Sequence, residues 1–405
     1  MRVRHRGHLE GLGAALLLAA IFGGCTGSGD RFGDLLGSPT PAASATQSST
    51  PGLPRSSSPQ PSTAPRESGP NSLVSAGTTT VNNITVDYTY RSDYITCLAH
   101  LYGTNLLASF LIVTVANDSS SDLTLSVSSE ITDYTTRQTD QVKVGANSST
   151  QVSQNPRLTQ AALDSLTSLK PAQLHLVVSW LDNGVQRTVL DQTNDVNVWS
   201  RRDFPWYVKG MTPQEDFELL AVMVTPLDPA VEALISHARK YAPGGVMDSG
   251  YNSDDDADGS VHDRLAALWK AETDADIGYV STTVSFAPTK PQRIKLPSEV
   301  IADRSGNCIE LTLLLASAVE ALGMQPEIVL VPGHAYLGVR TDDTNDSYYF
   351  IETTMIGQSG FESALTEGGN EWDKDQPHID REDTDYGWVS IPTSRSEGIT
   401  PMPWH

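Results

Sequence analysis

Ser305-Gly306-Asn307-Cys308-Ile309-Glu310-Leu311-Thr312-Leu313-Leu314-Leu315-Ala316-Ser317-Ala318-Val319-Glu320-Ala321-Leu322-Gly323 decides how this chain is read. From Cys308 to Leu322 the run is apolar almost all round, so it predicts a helix buried on most sides. Asn307 is placed to cap that helix, with Glu310 at the third helical position completing a capping-box pair. Gly323 ends it. Cys308 then stands in the first turn, where unpaired backbone N–H groups favour negative charge. The carboxylate of Glu310 opposes that effect.

Downstream, Glu327-Ile328-Val329-Leu330-Val331 is mostly apolar, like a strand buried on both faces. Two further strands follow, His334 beginning one in Pro332-Gly333-His334-Ala335-Tyr336 and Glu352 ending the other in Phe350-Ile351-Glu352-Thr353-Thr354. A hairpin centred on Asp343 sets Arg340 against Asp346 and His334 against Glu352, within reach of a carboxylate–imidazole hydrogen bond. Alternation places His334 and Glu352 on one face, with Ala335, Leu337, Val339 and Ile351 on the other. Taken singly, the cysteine reads as inert core, the histidine as a turn residue and the glutamate as solvated. Their order, spacing and shared face point instead to a nucleophile, a base and an orienting carboxylate. The Cys308 N–H is a candidate oxyanion donor, with Tyr279 and Gln292 as candidates for the second.

The segment from about 261 to 357 resembles the transglutaminase-like superfamily of papain-like cysteine enzymes. The residues that carry the resemblance are Gly306-Asn307-Cys308, Gly333-His334-Ala335-Tyr336 and Glu352-Thr353-Thr354. They stand where the family has a Gly-x-Cys helix start, a Gly-His-Ala-Trp-like strand start and an Asp-Pro-Thr-like strand end. The resemblance implies an α+β fold with the cysteine helix packed on an antiparallel sheet, and Cys308, His334 and Glu352 as the catalytic residues. This chain departs from the pattern at Tyr336, Glu352 and Thr353.

The remainder divides the chain of 405 residues into four parts. Residues 1–24 read as a signal peptide, with Arg2, Arg4 and Arg6 before an apolar run from Leu12 to Phe22. Small residues before Cys25 resemble a bacterial lipobox, which implies lipidation of that cysteine and membrane attachment through the lipid. An ordinary signal peptide cut nearby is the alternative. Residues 25–79 are rich in Ser, Thr and Pro and read as a disordered tether. Residues 80–200 alternate short apolar runs with turns, as in an immunoglobulin-like β-sandwich. One helix is expected there, near Thr159 to Leu169. Residues 201–405 form the helical and transglutaminase-like part, where Thr212-Pro213 and Asp228-Pro229 mark helix starts.

The net charge is −22, and removing the signal segment takes away three Arg and one Glu, making the rest more acidic still. The charge argues against nucleic acid or an anionic surface as a partner and identifies no substrate; a cell-envelope peptide or protein is the substrate expected of a lipid-anchored cysteine enzyme. Cys97 and Cys308 are expected to remain unbridged, and His100 and His175 to serve as core or surface residues. No cofactor or metal is expected. Asp254-Asp255-Asp256-Ala257-Asp258-Gly259 imitates the start of a calcium loop but has Leu265 where the twelfth-position Glu is needed, so it reads as a solvated acidic loop.

Overall fold

The computed structural model describes residues 3–4, 72–182, 184–251, 257–282, 291–343 and 347–403. Cys25, most of the tether and Asp254 to Asp256 lie outside these residues.

The first region holds β1 (Leu73–Val81), β2 (Ile84–Arg91), β3 (Leu111–Asn117), β4 (Leu123–Ile131), β5 (Gln138–Val144), β6 (Ser148–Gln154), α1 (Gln160–Ser165), β7 (Lys170–Asp182) and β8 (Val185–Val198). One sheet has the order β1-β2-β3-β6. The other runs β5-β4-β7-β8, with Asp93–Tyr94 added in parallel outside β8. Along β2 and β3 every second residue is buried, and these residues join those of β4 and β7 in one apolar cluster. The β1–β2 turn is Asn82-Asn83, both with positive φ (49° and 62°). That geometry matches the right-handed twist of a tight hairpin. Strand β1 therefore starts at Leu73, inside the stretch expected to be tether. The discrepancy has a physical source, since β1 is an edge strand whose Ser, Gly and Thr residues need little burial once backbone pairing with β2 is available.

The second region contains α2 (Pro213–Glu218), α3 (Pro229–Ala238), α4 (Ala257–Asp274), α5 (Pro297–Asp303), α6 (Cys308–Ala321), β9 (Pro326–Val331), β10 (His334–Arg340), β11 (Ser347–Ile351), α7 (Phe361–Ile379), β12 (Gly387–Ser390) and α8 (Ile391–Ser396). Together the two regions make a mixed α+β architecture. The proline starts are capped as the sequence implies. Thr212 and Glu215 form a reciprocal capping box, and Asp228 Oδ1 accepts from the Ala230 N–H at 2.9 Å.

An antiparallel sheet of order β11-β10-β9-β12 lies at the centre of this region, with Val3–Arg4 paired outside β11. Helix α6 covers one face, where Ile328, Leu330, Ala335, Leu337, Val339 and Ile351 join the main core. Helix α7 covers the other, over Val329, Tyr336, Tyr348 and Phe350, with Trp372 stacked on Phe350 at 4.4 Å between ring centres. Gly368 permits this close approach. A Cβ there would stand 2.5 Å from the Phe350 backbone carbon and oxygen. The sequence reading assigned no helix to this stretch, although Phe361, Ala364, Leu365, Gly368, Trp372 and Asp375 form its buried stripe.

The β10–β11 register differs from the expected one. Arg340 pairs with Tyr348 and Leu337 with Ile351, so the same register carries His334 opposite Thr354 instead of Glu352. The turn is the cause: Thr341 N donates to Ser347 O at 2.9 Å, two residues longer in total pairing than a turn centred on Asp343. A shift of two residues preserves which face each side chain takes. His334 and Glu352 therefore become diagonal neighbours on the same face.

Candidate active site

Each part of the site is fixed by a local device that the sequence carries. Asn307 caps α6 by accepting from Glu310 N at 3.0 Å, while Glu310 Oε2 accepts from Asn307 N at 2.9 Å. The other Glu310 oxygen takes the Lys295 N–H at 2.9 Å, so this carboxylate is committed to the cap and the preceding loop. Cys308, first in the helix, is 4% exposed. Pro332-Gly333 forms the two-residue turn between β9 and β10, with Gly333 at φ 77°. That left-handed residue sets His334 directly opposite Val331.

Glu352 follows β11 and caps the short helical turn Thr353–Met355, one carboxylate oxygen accepting from Thr354 N at 2.8 Å and from the Thr354 hydroxyl. Its other oxygen, Oε2, lies 2.7 Å from His334 Nε2. The Cys308 thiol acts on the same imidazole and favours its protonated form. With Nε2 held by Glu352, Nδ1 is the nitrogen left for the thiol. The three expected catalytic residues are thus brought together.

Tyr336 and Thr353, where the chain departs from the resembled pattern, have local roles. Tyr336 stacks beside His334 at 6.1 Å between ring centres and directs its hydroxyl to Asp375 on α7 at 3.5 Å. Thr353 lies within hydrogen-bonding distance of the Thr312 hydroxyl (2.9 Å), which itself donates to Cys308 O at 2.8 Å. This chain of hydroxyls ties the residue after Glu352 to the first turn of α6.

Glu371 on α7 is the member the sequence reading missed. Its Oε2 lies 3.4 Å from His334 Nε2, so two carboxylates converge on one ring nitrogen. Burial drives the His334 proton affinity down, but its contacts with Cys308, Glu352 and Glu371 outweigh burial, and the net shift is upward. Burial also opposes ionisation of Glu352, yet His334 holds that carboxylate below its ordinary range. For Glu371 burial dominates and Glu352 adds to it, against the pull of His334, so that the carboxyl is pushed up to about 7.

His334, Glu352 and Glu371 offer three ligand atoms within 4.8 Å of one another, a group that could hold a metal ion. Ligands around a tetrahedral zinc stand roughly 3.3 Å apart, as bond lengths of about 2.05 Å require. The 2.7 Å contact between His334 and Glu352 is shorter, and a cation would have to break it. The spacing suits hydrogen-bonded acid–base groups better than a cation cage.

The other candidates fall elsewhere. Tyr279 lies on a two-residue strand paired with Ser305–Gly306, two residues before Cys308. Gln292 pairs with Phe204, and its side-chain oxygen accepts from Trp206 Nε1 at 2.6 Å. Cys97 and Cys308 are both free thiols, and Cys97 is fully buried with its sulfur 3.5 Å from Asp203 O. His100 contacts Thr400 O at 3.0 Å, and His175 contacts Asp191 at 2.8 Å.

No protein-family model matches the chain, and no curated protein matches it. Among solved structures, it is similar to the crystal structure of a protein from Archaeoglobus fulgidus at 8% identity and a TM-score of 0.19. That match covers 32% of this chain and 95% of the other. It is also similar to the solution structure of a putative late embryogenesis abundant protein at 8% identity and a TM-score of 0.17. Here 32% of this chain and 71% of the other are covered. At these TM-scores neither likeness bears on the site.

Proposed function

We propose that the protein is a transglutaminase-like cysteine enzyme acting on amide bonds, as a peptidase, an amidase or a transamidating acyl transferase. The observation that carries this reading is the His334–Glu352 hydrogen bond on an imidazole whose proton affinity the Cys308 thiol helps to raise. In the reaction, the Cys308 proton resides on His334, whose proton affinity is raised, and the thiolate attacks the substrate carbonyl carbon. The tetrahedral species collapses to a thioester, and His334 gives its proton to the departing amine. Water or a second amine then attacks the thioester, losing its proton through His334 and releasing the thiol. Glu352 fixes the ring tautomer throughout.

The lipobox-like Cys25 and the tether that follows supply the location in this proposal: an extracytoplasmic protein held by a lipid, its substrate a cell-envelope peptide or protein. The two-sheet region, read as immunoglobulin-like, would be a spacer or contact module. Among the described residues no helix is long and apolar enough to cross a membrane.

One observation favours a second reading, a non-catalytic scaffold that keeps the fold: Cys308 is only 4% exposed. Alkylation of the thiol near neutral pH separates the two. The enzyme reading expects Cys308 to react at least about tenfold faster than an ordinary exposed thiol. It also expects the rate to drop about tenfold or more in His334→Ala, and less in Glu352→Gln. A rate no faster than a free thiol and indifferent to His334→Ala would leave the scaffold reading standing.

A further inference from the structure

Glu371 occupies a position that the triad alone does not explain. One N–H on His334 Nε2 can make one strong hydrogen bond, and Glu352 takes it at 2.7 Å. Glu371 Oε2 approaches the same nitrogen at 3.4 Å, is itself buried and has no well-formed hydrogen bond there. Two carboxylates this close in a desolvated site do not both ionise easily. A proton on Glu371 resolves the conflict, because it removes one charge and supplies an O–H for Glu352, whose ligand oxygen lies within 4.8 Å.

We infer that Glu371 is a positioning residue for the site: a proton-carrying carboxyl that donates to Glu352 and steadies the carboxylate on which His334 turns. The inference rests on the catalytic reading only for its effect on chemistry. The carboxyl pair itself would exist in a scaffold as well.

The structure provides the scaffold for this role. Gly368 lets α7 press against the β11 backbone, and Glu371 follows three residues later on the face turned towards His334. The titratable groups around Glu371 are His334 and Tyr336 on β10, Glu352 after β11, Asp375 one turn along α7, and Cys308 across the imidazole. His334 is the one basic group among them. Burial and Glu352 both favour the protonated form, in agreement with a carboxyl pushed up to about 7. When Glu371 loses its proton, a second negative charge faces His334 and holds the imidazole proton more tightly.

The test compares Glu371→Gln, which keeps a neutral donor, with Glu371→Ala, which removes it, in the full chain. Two readouts are followed across the neutral range: carboxyl and imidazole NMR shifts, and the rate of Cys308 alkylation. In the wild type a glutamate carboxyl should titrate near neutrality and be absent from both variants. His334 should give up its proton at lower pH in Glu371→Gln than in the wild type, by about one unit. Glu371→Gln should retain the alkylation rate below neutrality within about threefold, while Glu371→Ala loses about tenfold. The inference is overturned if no carboxyl titrates near neutrality, or if the His334 titration is the same in Glu371→Gln and wild type. A correct NMR result with an unreactive Cys308 would instead retain the carboxyl pair and remove the catalytic reading.

Discussion

The two sheets of the first region and the sheet beneath α6 and α7 are built from similar strands but buried differently. In β2 and β3 burial alternates, because one face meets the core and the other meets solvent. In β9 and β10 burial is almost continuous, because helices cover both faces. The consequence is electrostatic. Exposed pairs such as Lys143–Asp122, 3.0 Å apart, sit on the first region's surface, where water screens them. In the second region Glu272, Glu327, Glu352 and Asp375 are all buried, and the second face supplied by a helix is what desolvates several of them. Buried carboxyls with raised proton affinity therefore gather in the second region, whereas the groups that burial shifts most in the first are Tyr94, Cys97 and Tyr102, whose acidity it suppresses.

The widest gap between the regions should appear in packing tolerance. Gly368→Ala forces a Cβ to 2.5 Å from the Phe350 backbone, where neither α7 nor β11 has a flexible side chain to yield. The expected cost is about 2–4 kcal/mol, read by thermal or denaturant unfolding. Gly77, on the exposed edge strand β1, has nothing within 4 Å of the same built Cβ. Gly77→Ala should change stability by less than about 0.5 kcal/mol. Equal effects at the two positions would mean that α7 is not seated on the sheet as described.

These glycines also show where the sequence stops being legible. Helix α6 could be read because its apolar run, Asn307 cap and Gly323 stop are all local signals that agree. Pro332-Gly333 likewise announces a tight turn and so places His334. Helix α7 is harder to read, since Gly368, Gly369, Asn370 and Pro377 weaken its intrinsic helix preference. Its stripe forms because Phe350 and Tyr348 offer a surface to cover, and that information lies in another strand. Glu371 was missed with its helix. The shared face of His334 and Glu352 was legible from alternation, whereas their register depended on the Thr341–Ser347 turn closure, which composition does not fix.

A second contrast concerns pH. Glu272 on α4 is buried, with no hydrogen-bond partner for Oε1 among the described residues, and burial pushes its carboxyl from 4.5 up to about 8. Because the folded value is the higher one, stability is intact below the unfolded value and is lost as pH rises from 4.5 through about 8. Glu272→Gln should therefore raise the melting temperature by a few degrees at pH above this window and have little effect below it. Lys143→Met, which breaks an exposed ion pair in the first region, should leave the melting temperature nearly unchanged at either pH. A Glu272→Gln effect independent of pH would show that this carboxyl is not the titrating group.

The smallest expected difference lies between two hydroxyl pairs of nearly equal length. Thr80 and Thr85 face each other across the exposed β1–β2 hairpin at 3.0 Å, where water can replace either partner. Thr312 and Thr353 are buried at 2.9 Å, and the Thr312 hydroxyl continues to Cys308 O. Thr85→Val should be close to neutral, since valine suits a strand and both lost bonds are recovered from solvent. Thr353→Val keeps the side-chain shape but removes the donor to Thr312, at an expected cost of about 1 kcal/mol. Glu352 precedes Thr353 and Cys308 begins the helix at the other end of this link, so the variant should also slow Cys308 alkylation slightly. If Thr353→Val unfolds like wild type and its thiol reacts at the wild-type rate, the hydroxyl chain does not hold the cysteine and glutamate in register, and Pro332-Gly333 with the α6 cap must position the site unaided.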